Sequence, residues 1–408
     1  MQRVGIEKIN LYGGRFCTDA IELAKAQGRD LDHVFNQVMV KTRSVFPAYE
    51  DTVTLAVNAA KRLLSPDDAQ DVELLIVATE SGVDFGKPVS TWVHRYCNLP
   101  THCRTFEMKH ACYGATAAVK TAAMWVKAGL SPGKKALVIG VDYSRPHLDD
   151  RDNFIGGGAA IAMLISTNPQ VFEIDLEHAG FWTHEISDTF RPTARAEIGD
   201  NQTSLYSYLD ALEGAYEHYV EQVGTADYDR DFKHHIYHTP FPGMPSQAHR
   251  TLLSLLDIDD PETVEANYCQ KVQPGIYLAQ QVGSTYGSST FLDLISLLLH
   301  ADDVQSGDRF SMFAYGSGAQ GEFYTGRVGE AAREMVRSLD IAQHLAERMP
   351  LSTMEYELME YAREKYIDAP NYEPKREGFN NAYDKLYAGQ GLLVLKQVEN
   401  YYRQYKWS

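Results

Sequence analysis

Four residues stand where their side chains or backbone could do chemistry. Cys112, in FEMKHACYGATAAV, lies where an apolar run gives way to a helix of small residues. The N–H groups of Tyr113 and Gly114 are expected to be unpaired at that helix start, favouring a thiolate and later holding an oxyanion. A buried, inert thiol is the competing reading. Glu80, in VATESGVDFG, follows an apolar run at the end where an α/β sheet presents ligand-binding groups, and burial there would raise its pKa into the range of a usable base. A solvated loop acid is the alternative. His238, in IYHTPFPGMP, stands at the matching place further along, ahead of a Pro and Gly turn, and could move a proton or be purely structural. Ser317, in YGSGAQGEF, is at the centre of a glycine turn whose backbone N–H could complete an oxyanion hole or simply close a tight turn.

The elements around these residues repeat. VELLIVATE (72 to 80) and KKALVIGVDYS (134 to 144) read as strands covered on both faces, and YGATAAVKTAAMWVKAG (113 to 129) between them reads as a helix closed by Gly129. In the second half DFKHHIYHTP (231 to 240), YGSSTFLDLISLLL (286 to 299) and DRFSMFAYGSGAQGEF (308 to 323) follow the same order. Tyr113-Gly114 align with Tyr286-Gly287, and Gly140 aligns with Gly316. A strand, helix, strand order repeated in this way predicts a duplicated α/β sandwich, with the site where the halves meet. The expected division is 1–165, carrying Glu80 and Cys112, and 166–408, carrying His238. Past about residue 325, charged and tyrosine-rich segments such as MEYELMEYAREKYI and KQVENYYRQYKWS read as a helical cover with no chemistry of its own.

The totals narrow the function. The formal net charge of −17 makes nucleic acid a poor partner, because duplex binding rests on basic side chains. Five scattered cysteines without a CxxC indicate neither a disulfide framework nor a zinc site. The start MQRVGIEKINLYGG lacks a signal segment, and no apolar run is long enough for a bilayer, so the expected location is the cytoplasm.

Along nearly its whole length the chain resembles the 3-hydroxy-3-methylglutaryl-CoA (HMG-CoA) synthase family. The segments that carry the resemblance are PAYEDTVTLAVNAAKRLL, VATESGVDFGKP, HACYGATAAV, DTFRP, YHTPFPGM, VGSTYGSS, AYGSGAQGEF and YYRQYKW. It implies the thiolase fold, a five-layer α/β/α/β/α sandwich, and a homodimer. It also implies that Cys112 takes an acetyl group, that Glu80 deprotonates the acetyl methyl, and that His238 hydrogen-bonds the β-ketone of a second thioester. The N–H groups of Cys112 and Ser317 would hold the oxyanion, with Gly316, Ser284 and Tyr286 positioning substrate. Ser284 stands where the family commonly has asparagine, which would alter how the acceptor is seated.

HTPFPGMPSQAHR looks more like the branch acting in polyketide β-branching than the mevalonate branch. That resemblance implies a donor acyl carrier protein bringing acetyl and an acceptor carrier protein holding a β-ketoacyl chain. Phosphopantetheine would arrive with the substrates, and neither a permanently bound cofactor nor a metal is implied. Carrier proteins are acidic, so Arg145, Arg151, Arg191, His249 and Arg250 are the expected docking residues. The alternatives are a mevalonate-pathway synthase using acetyl-CoA and acetoacetyl-CoA, and a non-catalytic docking homologue. Intact Cys112, Glu80 and His238 weigh against the latter.

Overall fold

A computed structural model describes residues 3–144 and 153–408. Strand Val72–Ala78 lies parallel to Arg104–Met108 on one side and to Lys135–Tyr143 on the other. Lys135–Tyr143 then pairs antiparallel with Gly158–Ser166, which pairs antiparallel with Gly5–Tyr12. The second half repeats this ladder. His234–Tyr237 is parallel to Arg309–Gly316, which pairs antiparallel with Gln320–Val328, which pairs antiparallel with Phe172–Thr183. The two ladders join where Gly5 and Ile6 face Glu173 and Phe172, giving one nine-stranded sheet. The expected repeat is therefore present in the pairing, except that 308–323 spans a strand, a turn and the start of the next strand.

The continuous apolar runs follow from burial on both faces. In Val72–Ala78, Leu74 and Ile76 join a central cluster, whereas Leu75 and Val77 join an outer one. The central cluster contains helices Gly114–Lys127 and Ser289–His300 together with inner faces of both half-sheets. Helices Thr52–Leu63 and Val89–Tyr96 cover the outside of the first half. Asn201–Val223 and Met244–Ser254 cover the second. Five layers result, α/β/α/β/α, with the helix that follows Cys112 in the middle one.

Two glycines let the halves interlock. A Cβ at Gly140 would lie 2.5 Å from Ser288 Oγ, and one at Gly316 would lie 2.5 Å from the Tyr113 nitrogen. Each strand of one half thus receives the start of the central helix of the other half, and the aligned pair Gly140 and Gly316 is the reason it fits.

The C-terminal region departs from the expected helical cover. Helix Thr353–Tyr366 is present, but Leu393–Glu399 and Tyr402–Trp407 form a β-hairpin. Asn400 and Tyr401 take positive φ angles of 47° and 67°, the geometry of a tight hairpin turn that would end a helix. From this hairpin Arg403 Nη1 reaches Asp51 Oδ2 at 2.9 Å and the Tyr405 hydroxyl donates to the same oxygen at 2.8 Å. Asp51 also caps helix Thr52–Leu63 through a capping box.

Candidate active site

Glu80 follows the Val72–Ala78 strand and is held by its own backbone. Asp142 Oδ1 accepts the Glu80 N–H at 2.9 Å, the Ser81 N–H at 3.0 Å and the Ser81 hydroxyl at 2.7 Å. Asp142 is buried, and burial pushes its carboxyl up to about 6. Sequence reasoning did not single out Asp142, although a carboxylate inside the otherwise apolar run KKALVIGVDYS, costly to bury without such partners, was an available signal.

Cys112 is half-buried and its Sγ lies 3.9 Å from Glu80 Oε2, within reach of a sulfur hydrogen bond. Ala111, just before it, has a φ of 34°, so the cysteine sits on a strained turn into the helix. The helix start is less open than the sequence suggests. Tyr113 and Gly114 donate their N–H groups to the His110 carbonyl at 2.9 and 3.0 Å, because the chain makes a hydrogen-bonded turn before the helix proper. Those two donors are not free for a thiolate or an oxyanion. Burial first, and then the Glu80, Asp142 and Glu197 carboxylates, push the Cys112 thiol well above its ordinary value. The resting sulfur is a thiol facing the Glu80 carboxyl group.

His238 follows the His234–Tyr237 strand and is 2% exposed. Burial lowers its imidazole to about 3, so the ring is neutral. Ser289 Oγ lies 2.7 Å from His238 Nδ1 and accepts the Thr239 N–H at 3.0 Å. With that N–H directed at its oxygen, the serine hydroxyl can donate to Nδ1, which leaves the proton on Nε2 as a hydrogen-bond donor.

One segment ties these groups together. A Cβ at Gly287 would lie 3.1 Å from the Cys112 carbonyl oxygen, and Ser289, two residues on, holds His238. Tyr315 also bridges them, its ring 6.3 Å from that of His238 and in electrostatic contact with Cys112. Gly316 and Ser317 follow Tyr315 into the predicted turn. Asp188, from DTFRP, fixes that turn by accepting the Tyr315 hydroxyl at 2.7 Å and the Gly318 N–H at 3.0 Å. A cleft of about 670 Å³ opens over the site, lined by Glu80, His110, Ala111, Arg191 and Ser317. Arg363, Tyr366, Tyr372 and Arg403 also line it, so the C-terminal region shapes the approach to the site.

Several expected docking residues lie elsewhere. Arg191 is in the site, its Nε 3.0 Å from Glu80 Oε1 and its Nη2 2.7 Å from Glu197 Oε2, because the short hairpin Thr189–Phe190 with Ile198–Gly199 turns it inward. His249 is fully buried, hydrogen-bonded to the Tyr237 hydroxyl at 2.9 Å and to Asn267 at 2.8 Å, because its helix face packs on the sheet. His249 cannot meet a partner's surface, and half-buried Arg191 lines the cleft instead. Arg250, one residue on, is exposed. Arg145 and Arg151 lie outside the described residues. Tyr286 packs its ring 4.8 Å from the Arg191 guanidinium, while half-buried Ser284 donates its N–H to the Ile155 carbonyl at 3.2 Å.

A duplicated five-layer sandwich in which both central helices begin beside one cysteine defines a thiolase-fold, acyl-condensing enzyme. Residues 1–170 match the family model for the hydroxymethylglutaryl-coenzyme A synthase N terminal, and residues 256–407 match that for its C terminal. The chain belongs to the hydroxymethylglutaryl-coenzyme A synthase family. It is 38% identical over 372 residues to the polyketide biosynthesis 3-hydroxy-3-methylglutaryl-ACP synthase PksG of Bacillus subtilis, covering 88% of each chain. The curacin biosynthetic pathway HMG synthase, solved in complex with acetyl donor-ACP, superposes with a TM-score of 0.95 at 38% identity, covering 100% of both chains. A hydroxymethylglutaryl-CoA synthase of Enterococcus faecalis is 30% identical, over 87% of this chain and 91% of its own.

Proposed function

We propose that the protein is an HMG synthase-type condensing enzyme of polyketide β-branching that takes acetyl from a donor acyl carrier protein and adds it to a β-ketoacyl chain on an acceptor carrier protein. The observation that carries the chemistry is the Cys112 Sγ to Glu80 Oε2 approach of 3.9 Å, with Glu80 and the neighbouring Ala111 lining a cleft. Likeness to two carrier-protein synthases at 38%, against 30% for a CoA enzyme, supports the choice of donor.

Acetylation exchanges one thioester for another. Cys112 sulfur bonds to the acetyl carbon, the pantetheine sulfur leaves, and the proton lost by the cysteine is the one the departing thiol takes up. A thiol with a raised pKa therefore costs this step little overall. The N–H groups of Cys112 and Ser317 hold the tetrahedral oxyanion, with Gly316 allowing the turn to come close.

Glu80 then takes a proton from the acetyl methyl, and the resulting enolate carbon bonds to the acceptor's ketone carbon. His238 Nε2–H donates to the oxygen as it becomes an alkoxide. Protonated Glu80, a far stronger acid than the neutral imidazole, returns the proton to that alkoxide. Water finally cleaves the Cys112 thioester, freeing a 3-hydroxy-3-carboxymethyl acyl chain that stays on the acceptor carrier. Ser284 and Tyr286 border the acceptor's position, and exposed Arg250 contributes to docking.

The enzyme works in the cytoplasm as a homodimer of two-half chains, divided at about residue 165, with phosphopantetheine supplied only by its substrates. An open edge at strand Arg104–Met108, the last in the sheet, supports pairing with a second copy. The reading is tested by incubating the protein with acetyl-carrier protein or with acetyl-CoA and measuring the mass of the Cys112 peptide. Acetylation from the carrier is expected to be the faster. Efficient acetylation from CoA with none from the carrier would replace this reading with a mevalonate-pathway synthase.

A further inference from the structure

The hairpin that carries Arg191 is bound to the site at both ends. Gly199 faces Thr189 and Ile198 faces Phe190, so continuing that register sets Glu197 opposite Arg191. At its base Asp188 grips the Tyr315–Gly318 turn, and the Asp200 N–H donates to the Asp188 carbonyl at 3.0 Å. At its other end one guanidinium is divided between two carboxylates, 3.0 Å from Glu80 Oε1 and 2.7 Å from Glu197 Oε2. Tyr286 closes the arrangement, its ring beneath the guanidinium and its hydroxyl 3.3 Å from Glu197 Oε2. The Arg191 side chain is only 13% exposed, and an arginine so buried needs both its partners.

We propose that Arg191 is the positioning residue of Glu80, and that Glu197 competes with Glu80 for it, so that the hairpin sets how readily Glu80 acts as the base. The proposal rests on the role given to Glu80 above. A planar, permanently charged guanidinium can ion-pair with one carboxylate while hydrogen-bonding the other. Arg191 holds the Oε1 side of Glu80, leaving Oε2 facing Cys112 and the acetyl group it will carry. When Glu197 draws Arg191 away, Glu80 loses its countercharge and keeps its proton more tightly. When Arg191 turns wholly to Glu80, the carboxylate is favoured.

The groups facing Glu80 from the elements around it are Asp142 on the Lys135–Tyr143 strand, Cys112 before the central helix, Tyr286 before the other central helix, and Arg191 and Glu197 on the hairpin. Burial first, and then Asp142 and Glu197, hold the proton on Glu80, and Arg191 opposes them. The two substitutions therefore act in opposite senses. Arg191→Met removes the opposing charge, and Glu197→Gln removes a like charge and leaves Arg191 to Glu80 alone.

The experiment is the pH profile of condensation in the full-length enzyme, with Cys112 acetylation followed by mass as a measure of intact fold. In Arg191→Met the acidic limb is expected to move up by about one pH unit or more, with condensation falling at least ~10-fold more than acetylation at neutral pH. In Glu197→Gln the limb is expected to move down, and Arg191→Lys is expected to lie nearer the parent than Arg191→Met. Limbs that stay in place, or that move the same way in both variants, would overturn the proposal and leave the hairpin a scaffold. A Glu80→Gln enzyme that condenses with the parent's rate and profile would instead overturn the assignment of Glu80 itself.

Discussion

Cys112 Sγ lies 3.9 Å from Glu80 Oε2, and the two residues come from successive strand ends of one half of the sheet. The cysteine follows the Arg104–Met108 strand and the glutamate follows its parallel neighbour Val72–Ala78, so the sheet itself fixes their separation. In the proposed reaction an acetyl group on Cys112 has its methyl beside the Glu80 carboxyl, which is placed to deprotonate it. Replacing Cys112 with serine is expected to abolish acetylation, because a serine hydroxyl is a far poorer nucleophile than a cysteine thiol in thioester exchange and an alkoxide a far poorer leaving group than a thiolate. Intact mass after incubation with an acetyl donor checks this, and full-rate condensation by the serine enzyme would contradict it.

The pH dependence of condensation follows from Glu80. Burial raises its carboxyl to about 8, with Arg191 pulling the other way. The base is the deprotonated form, so the rate is expected to rise with pH, roughly tenfold per unit well below the midpoint, and to level off above about 8. His238, lowered to about 3, stays neutral throughout and adds no second limb in that range. Stopped assays of acceptor-bound product across about pH 6–10, two units either side of the midpoint near 8, measure the profile. A rate that falls with rising pH would contradict the account.

His238 is useful as a neutral donor only if its proton is on Nε2, and Ser289 sets that. His238→Asn is expected to lower condensation by ~100-fold or more, the usual cost of losing a donor aimed at a developing oxyanion. Ser289→Ala is expected to cost about tenfold by releasing the tautomer. Ring nitrogen chemical shifts of His238 distinguish the two forms directly. An unchanged Nε2–H tautomer in Ser289→Ala would show that the serine does not fix it.

Much of this site was legible because a parallel strand buried on both faces reads as an unbroken apolar run, and its last residues mark the functional end of the sheet. Glu80 and His238 were singled out as candidates that way, and Cys112 from the small residues that follow it. Arg191 was expected on the docking surface and Glu197 was not singled out, since five residues of hairpin separate them and only the fold brings both near Glu80. His249 was misplaced because one helical histidine gives no sign of which face it occupies. The terminal hairpin was missed because its tyrosines and charges resemble those of a solvated helix. The alternation in LVLKQVE and the turn at Asn400 were the available signals.

That hairpin carries stability as well as shape. Asp51→Asn keeps a capping side chain but removes the countercharge of Arg403, whose guanidinium is mostly buried beside it. Breaking such a pair from one side costs about 3 kcal/mol. Urea denaturation is expected to show a loss of that order. A change below about 0.5 kcal/mol would place the pair among ordinary surface contacts.

The central claim, that Cys112 carries the acetyl group and Glu80 activates it, is tested most directly in Glu80→Gln. The variant is incubated with acetyl-donor carrier protein, the acetyl group is located by peptide mass, and β-ketoacyl-acceptor carrier is then added. The account predicts that acetyl accumulates on Cys112 and stays there, with condensation reduced by ~100-fold or more. Acetyl found on another residue, or consumed at the parent's rate once the acceptor is present, would contradict it.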